Sequence, residues 1–214
     1  MMTFSDFTKV LIVSTALAGA TADAKTLTIA LDKSGSNPLL VDPHFAASAA
    51  DYASELIMPL EEGDIVRLVS FGARDRADNM LNKIIKLKRS LRAGKVADAV
   101  KSYINGLPQG EPVAQSSTNI VSFLELDGNF DCKSGSTVLL LTDGVEASEY
   151  VSPQGFVEGK SHLPKPDPEL SLKGCTVIFY GLGAGTEGSA AKFMRNEWSA
   201  YVGATGGEFT AVTK

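Results

Sequence analysis

From residue 26 onward, short runs of β-branched and other apolar residues alternate with longer segments whose apolar positions recur every three or four residues. The short runs predict β-strands, and the periodic segments predict amphipathic helices. Six strands are predicted, at Thr26–Leu31, Ile65–Phe71, Met80–Leu87, Thr137–Leu141, Thr176–Tyr180 and Glu208–Val212. Because strands and helices alternate, we predict an α/β fold with a doubly wound, mostly parallel six-stranded sheet that has helices on both faces.

Four helices follow from the same periodicity. Their apolar faces run from Phe45 to Leu60, from Val96 to Leu107, from Ile120 to Leu124 and from Phe193 to Tyr201. Each apolar stripe matches the face by which a helix packs on a sheet. We therefore interpret these residues as core and not as cofactor-binding segments.

One segment departs from the alternation of strands and helices. The run Ser152–Pro168 contains four prolines. Proline lacks a backbone N–H, and it interrupts both helices and inner strands. We therefore predict an irregular insertion at about residues 151–170.

The first 24 residues have the pattern of a secretory signal peptide. A single lysine, Lys9, precedes the apolar run Val10–Ala20, and a small-x-small sequence follows at Ala22–Ala24. These eleven apolar residues are too few for a membrane span, which takes roughly 20 residues. We expect cleavage before Lys25, one domain over residues 25–214, a periplasmic or secreted location, and no stable insertion into a membrane after cleavage.

The charge balance favours cations over anions as partners. The 214 residues include 20 Lys+Arg and 25 Asp+Glu, which gives a formal net charge of −5. Without an excess positive field, neither nucleic acid nor an anionic membrane surface is expected as a partner. The one local basic stretch, Lys83–Arg92, is interpreted as a solvated face or as an edge where a partner docks.

Oxygen-bearing side chains follow the first and fourth predicted strands. Asp32, Ser34 and Ser36 come directly after the first strand, Asp143 follows the fourth, and Thr118 stands at the start of the third helix. In a doubly wound sheet, ligands bind outside the carboxyl ends of the strands where the strand order reverses. Few carboxylates together with hydroxyls and water suit a hard divalent cation, Mg²⁺ above all, with Mn²⁺ or Ca²⁺ as alternatives. Taken singly, the same residue types also form turns and helix caps.

Five segments in chain order carry a family resemblance: LDKSGS, EEGDIVRLVSFG, SSTNI, LLLTDG and VIFYGLG. Together they resemble the von Willebrand factor type A domain with its metal-ion-dependent adhesion site, over nearly all of residues 25–214. The resemblance implies that the metal ligands are Asp32, Ser34, Ser36, Thr118 and Asp143. It also implies that the metal keeps one coordination position open, which an Asp or Glu carboxylate of a partner protein completes. The stretch Asn37–Pro43 is longer than is usual in the family, which affects the shape of the binding rim.

The two cysteines are predicted to form a disulfide. Cys132 lies five residues before the fourth predicted strand and Cys175 directly before the fifth, so both stand at the amino ends of strands expected to be neighbours. An exported chain meets an oxidising compartment, and closing a loop of about 44 residues stabilises the fold by roughly 4 kcal/mol in the chain-entropy model. The alternative is a pair of free buried thiols in a reducing compartment.

Two other functions are compatible with the same residues. Asp32 and Asp143 would suit a magnesium-dependent phosphotransfer enzyme or hydrolase. Against it, Ser34 stands where such sites carry a second acid, and neither His44 nor His162 is well placed as a general base. The other alternative is a structural domain whose metal site is inactive. We predict a non-enzymatic domain that recognises another protein through the metal.

A glycine motif offers a further alternative. Gly183, Gly185 and Gly188 follow a predicted strand and precede a helix, which outlines a dinucleotide-binding fingerprint. The motif comes after the fifth strand, where too little chain remains for the rest of a nucleotide-binding unit. We interpret it as a loop at the rim of the sheet.

Overall fold

The computed structural model describes residues 23–72, 81–109, 117–126, 130–133 and 135–213. Residues 1–22 of the predicted signal peptide lie outside these ranges, as does Met80 at the start of the third predicted strand. Within the described ranges there are six strands: β1 (Thr26–Asp32), β2 (Ile65–Phe71), β3 (Asn82–Lys86), β4 (Ser136–Leu141), β5 (Cys175–Tyr180) and β6 (Glu208–Val212). The same ranges hold the helices α1 (Pro43–Ile57), α2 (Ala93–Gly106), α3 (Ile120–Leu126), α4 (Pro153–Val157) and α5 (Gly188–Ala204), with 3₁₀ turns at Pro38–Leu40 and Leu107–Gln109.

All six strands belong to one sheet in the order β3-β2-β1-β4-β5-β6. Every neighbouring pair is parallel except β2 and β3, which run antiparallel. The order reverses beside β1, so that β1 pairs with both β2 and β4. This arrangement confirms the predicted doubly wound, mostly parallel sheet, and it creates a crevice at the carboxyl ends of β1 and β4.

Helices cover the sheet on both faces, as predicted. On one face, α1 and α2 pack over the sheet, and small buried residues of α1 such as Ala46 and Ala53 allow close packing. On the other face, α3 and α5 enclose a core that includes Phe179 and Trp198. All residues of β1 are buried because this strand lies in the middle of the sheet with helices on either side. No helix in the described part of the chain is long and apolar enough to span a bilayer.

The proline-rich segment corrects one prediction. Its first residues form the short helix α4, although the proline content predicts only irregular chain. Pro153 occupies the first turn, where a helix needs no N–H, and the Ser152 side chain caps the helix by accepting the Gly155 N–H. Phe156 is fully buried in edge contacts with Phe193 and Trp198 of α5, which supplies the packing that holds this turn.

The predicted disulfide is confirmed. Cys132 and Cys175 are bonded, with 4.7 Å between their Cα atoms. Cys175 is the first residue of β5, at the edge of the sheet opposite the carboxyl ends of the strands. The disulfide is therefore separated from the crevice beside β1 by the length of the sheet.

Candidate functional site

Asp32 ends β1 and points its carboxylate into a fully enclosed position. Its side chain is 0% exposed, and both of its oxygens accept hydrogen bonds. Oδ2 accepts the Thr142 hydroxyl at 2.6 Å, and Oδ1 accepts the Ser34 N–H at 2.8 Å. Because Thr142 follows β4, the carboxylate is held between the ends of the two strands that flank the crevice.

The two serines after β1 bring their hydroxyls together. Ser34 is buried and Ser36 is exposed, and their Oγ atoms lie 3.4 Å apart. The loop that carries them is tied to β2, because the Lys33 N–H donates to the Phe71 carbonyl at 2.8 Å. The loop therefore leads from an enclosed carboxylate to a hydroxyl that solvent can reach.

Asp143 is held in a tightly bonded turn after β4. Its Oδ1 accepts the Val145 N–H at 2.9 Å, and its carbonyl accepts the Gly183 N–H at 2.8 Å. The next residue, Gly144, has a φ of +77°, and its carbonyl accepts the indole N–H of buried Trp198 at 2.9 Å. A side chain at Gly144 would also collide with its neighbours, so this turn requires glycine.

Burial favours the neutral form of both aspartates. Burial, and after it the nearby Asp143 carboxylate, raise the pKa of Asp32 to about 7, against the lowering effect of hydrogen bonds from Thr142 and Ser34. Burial also raises the pKa of Asp143, while hydrogen bonds from the Val145 N–H and the Ser36 hydroxyl lower it. A bound cation would favour the charged form of both aspartates.

Thr118 is linked through its backbone to the chain that follows Asp143. It is buried, and its carbonyl accepts the Ala147 N–H at 2.7 Å, which joins its segment to the loop that carries Asp143. Threonine at the start of a helix can also act as its cap, but Thr118 does not cap α3. Asn119 caps α3 instead, because its Oδ1 accepts the Ser122 N–H at 2.7 Å.

Thr142 and Glu146 were not predicted as site residues. Glu146 is fully buried, and its Oε2 accepts the N–H groups of Ile120 and Val121 at 2.9 and 3.2 Å. Burial raises the pKa of Glu146 to about 7, against the lowering effect of its hydrogen bonds. The Ser148 hydroxyl is the first of the hydrogen-bonding groups that lower this pKa, and Oε1 is buried. The sequence gives one indication of these two residues. Thr142 directly precedes Asp143, and Glu146 follows it by three positions.

The donor set fits a hard divalent cation. Asp32 and Asp143 would supply carboxylates, and Ser34 and Ser36 would supply hydroxyls, whose Oγ atoms lie 3.4 Å apart. Within the described ranges, no three His, Cys, Asp or Glu side chains are grouped as metal ligands. A cation here would therefore depend on hydroxyls and water as well as on the two aspartates. The residues that would hold it are Asp32, Ser34, Ser36, Thr118 and Asp143.

Comparison with known proteins identifies the fold. No protein family model matches the sequence, and no curated protein matches it. Among solved structures, a von Willebrand factor type A protein from Catenulispora acidiphila aligns over 91% of this chain with 18% identity and a TM-score of 0.52. The chain has the von Willebrand factor type A fold. It spans 40% of the length of that protein, and at this identity the likeness shows the fold alone.

Weaker structural matches to this type A fold include two proteins from other bacteria. An aerotolerance-related membrane protein from Bacteroides fragilis aligns over 89% of this chain and 92% of its own, with 14% identity and a TM-score of 0.47. A pilus adhesin from Lactobacillus rhamnosus GG aligns over 89% of this chain and 28% of its own, with 15% identity and a TM-score of 0.46. Neither likeness is close enough to carry an argument about function.

Asn37 joins the two central strands of the type A fold beside the site. Its Nδ2 donates to the carbonyls of Asp32 and Leu141, at 2.9 and 3.0 Å, and its Oδ1 accepts the Leu39 N–H at 3.1 Å. The residue is fully buried. One amide therefore satisfies backbone groups at the carboxyl ends of both β1 and β4.

We expect Asn37→Ala to lower the free energy of unfolding by about 2–4 kcal/mol, because it leaves buried backbone groups without partners. Asn37→Asp is expected to destabilise the fold at least as strongly above neutral pH, since a carboxylate would face two carbonyl oxygens. Urea denaturation followed by circular dichroism measures both effects. Asn82→Ala, on the exposed surface of β3, is the matched control and should change stability by less than about 0.5 kcal/mol. Equal stability of Asn37→Ala and the control would contradict this role.

Proposed function

We propose that the chain is an exported domain that binds a divalent cation, Mg²⁺ or alternatively Mn²⁺ or Ca²⁺, and uses it to recognise another protein. The proposed ligands are Asp32, Ser34, Ser36, Thr118 and Asp143. The observation that carries the proposal is the pair of buried carboxylates, Asp32 and Asp143, beside the Ser34 and Ser36 hydroxyls where the strand order reverses.

The charge of this ligand set supports a protein carboxylate as the group that is recognised. A cation held by two carboxylates, with neutral hydroxyls and water completing its shell, still attracts a further anionic oxygen. Ser36 is exposed whereas Asp32 and Ser34 are buried, so a partner would approach from the side of Ser36. An Asp or Glu side chain has the reach and charge to meet the cation there.

Two observations support export. The disulfide between Cys132 and Cys175 is of the kind that persists in an oxidising compartment. The predicted signal peptide over residues 1–24 agrees with a periplasmic or secreted location. Digestion of the mature protein followed by mass spectrometry of its amino-terminal peptide tests this, and a peptide that begins at Met1 would contradict it.

The metal and the partner require separate measurements. Titration calorimetry of the purified chain with MgCl₂ tests for a cation site, and CaCl₂ and MnCl₂ establish the preference among metals. Affinity capture from the native host, in Mg²⁺ and again in excess chelator, tests partner recognition. Partner capture that is unchanged in excess chelator would overturn the proposed metal-dependent recognition.

We expect the affinity for Mg²⁺ to fall as the pH is lowered below about 7. The pKa of Asp32 is about 7 in the metal-free chain, so below this pH the cation must displace a proton. The affinity should weaken by up to about tenfold for each pH unit below the pKa. Calorimetric titrations at about pH 8, 7 and 6, in buffers with different heats of ionisation, measure both the affinity and the protons released.

The metal-free chain provides the control for this pH dependence. Its folded state holds the Asp32 proton more tightly than the unfolded state does, because the pKa rises from 3.8 to about 7 on folding. Stability in chelator should therefore fall as the pH rises from about 4 to 7, the opposite direction to the metal affinity. An Mg²⁺ affinity that is the same at pH 6 and 8 would contradict the involvement of Asp32.

A further inference from the structure

A pocket of about 460 Å³ opens directly beside the proposed metal site. Ser36 and Asp143 form the end that adjoins the site. Helix α4 lines the pocket through Pro153 and Val157, and the loop after β5 lines it through Ala184. The pocket is therefore continuous with the surface that a metal-bound partner would cover.

Both elements that line the pocket are held by contacts with the rest of the fold. Helix α4 is anchored by Phe156, which is fully buried against the aromatic residues of α5. The loop after β5 is held at Gly183, whose carbonyl accepts the Thr186 hydroxyl at 2.8 Å and whose N–H donates to the Asp143 carbonyl at 2.8 Å. The second of these bonds couples the loop to a proposed metal ligand. The pocket is thus formed before any partner binds, which reduces the entropy cost of binding.

The lining of the pocket suits an uncharged, apolar group. Its surface includes Val145, Pro153 and Val157, and the one acidic side chain beyond Asp143 is Glu158. The Glu158 carboxylate already accepts hydrogen bonds from Gln154 and Lys160 of the same segment, at 2.8 and 2.6 Å. It has little need of a further cationic partner, and the apolar lining disfavours a second carboxylate in the pocket. An acidic side chain is therefore favoured at the cation and disfavoured in the pocket.

We propose that this pocket binds an apolar side chain next to the acidic residue that reaches the cation, so that the partner is a protein segment with an Asp or Glu beside a residue such as Leu or Met. The inference rests on the proposed metal-dependent recognition, and it adds which acidic segments the site prefers. The cation provides most of the attraction for the acid. The pocket distinguishes one acidic segment from another by its neighbouring side chain.

Short capped peptides test the pocket without knowledge of the partner. The probes are acetylated and amidated tripeptides of Gly, Glu and Leu, with Leu on either side of Glu, and the same peptides with Ser in place of Leu or Gln in place of Glu. They are titrated in Mg²⁺ into the purified chain with labelled methyl groups. Burial of the Leu side chain is expected to give about tenfold tighter binding than Ser, in at least one of the two orders. Shifts should concentrate on the methyl groups of Val145, Val157 and Ala184.

A matched pair of variants separates the pocket from the metal. Ala184→Phe places an aromatic ring in the pocket and replaces none of the proposed ligands. It is expected to remove the preference for Leu over Ser while leaving the Mg²⁺ affinity unchanged. Ser189→Phe adds the same ring to an exposed position in the first turn of α5, outside this pocket, and should keep the preference.

The possible results distinguish this inference from the proposed function. If the Glu peptides bind only in Mg²⁺ but Leu and Ser bind equally, the pocket is not a specificity site and the metal-dependent recognition stands. The same conclusion follows if Ala184→Phe keeps the preference for Leu. If no Glu peptide binds in an Mg²⁺-dependent manner, the proposed function is overturned and the inference with it.

Discussion

Asp32→Asn is expected to abolish measurable Mg²⁺ binding and, with it, Mg²⁺-dependent capture of a partner. The substitution removes one of the two carboxylates in the proposed ligand set and keeps the shape of the side chain. Loss of a group that hydrogen-bonds to a metal ligand typically lowers metal affinity roughly 10- to 100-fold. Loss of Asp32, a proposed direct ligand, should lower it further. Calorimetric titration with MgCl₂ and affinity capture in Mg²⁺ measure the two effects.

The same variant is expected to fold normally. Since the pKa of Asp32 is about 7 in the metal-free chain, a neutral side chain is already present in much of the population near neutral pH. Asparagine also removes the repulsion between Asp32 and Asp143, so stability in chelator should be equal to or above that of the parent chain. This separates a loss of metal from a loss of fold.

Asp98→Asn is the matched control, because it makes the same change of charge at an exposed position on α2. Its Mg²⁺ affinity should equal that of the parent chain. If Asp32→Asn binds Mg²⁺ as tightly as this control does, the proposed cation site is wrong. If both variants lose affinity equally, the binding reflects net charge and not a specific site.

Much of the fold could be predicted because its signals are local. Each strand is a short run of apolar residues, and β1, which has helices on both sides, is apolar or neutral in every position up to Asp32. Such a run predicts a buried strand from its own composition. The antiparallel edge strand β3 is exposed and charged, and its bounds were predicted less well, at Met80–Leu87 against Asn82–Lys86.

The candidate site could be predicted only in part, because its contacts depend on which strands are neighbours. Thr142 donates to Asp32 across 110 residues of sequence, and this contact exists because β4 pairs with β1. Glu146 likewise accepts hydrogen bonds from residues 25 and 26 positions away. No local pattern marks such residues. The ordered motifs predict Asp32, Ser34, Ser36 and Asp143 as site residues, and the strand order brings the segments that carry them to the same edge of the sheet.

Helix α4 was missed for a different reason. The rule that proline interrupts helices was applied to the whole segment, including its first residue after the cap. Counting prolines predicts that Ser152–Pro168 holds no helix, but Pro153 stands at the one position in a helix where proline is favourable. The following turn is stabilised by tertiary packing of Phe156, which composition does not reveal. The outcome matters for function, because this helix forms a wall of the pocket beside the proposed metal site.

The second large effect is expected from the disulfide. Replacing both Cys132 and Cys175 with alanine should lower the free energy of unfolding by about 4 kcal/mol, because the bond closes a loop with a sequence separation of 43 residues. Alanine suits position 175, which is buried in the core, better than serine does, since it leaves no hydroxyl without a partner. Urea denaturation at a fixed pH in chelator measures the change. A loss of this size is a large fraction of the roughly 5–15 kcal/mol that stabilises a typical domain.

This loss should affect stability and not recognition. The disulfide lies at the amino edge of the sheet and the proposed ligands lie at the carboxyl edge, so the folded fraction of the double variant should keep the Mg²⁺ affinity of the parent chain. Asp32→Asn is expected to do the reverse, losing the cation and keeping the fold. A double variant within about 1 kcal/mol of the parent in stability would contradict the structural role of the bond. A folded double variant with altered Mg²⁺ affinity would show that the two edges of the sheet are coupled, through β4 or β5, the strands that the bond holds together at their amino ends.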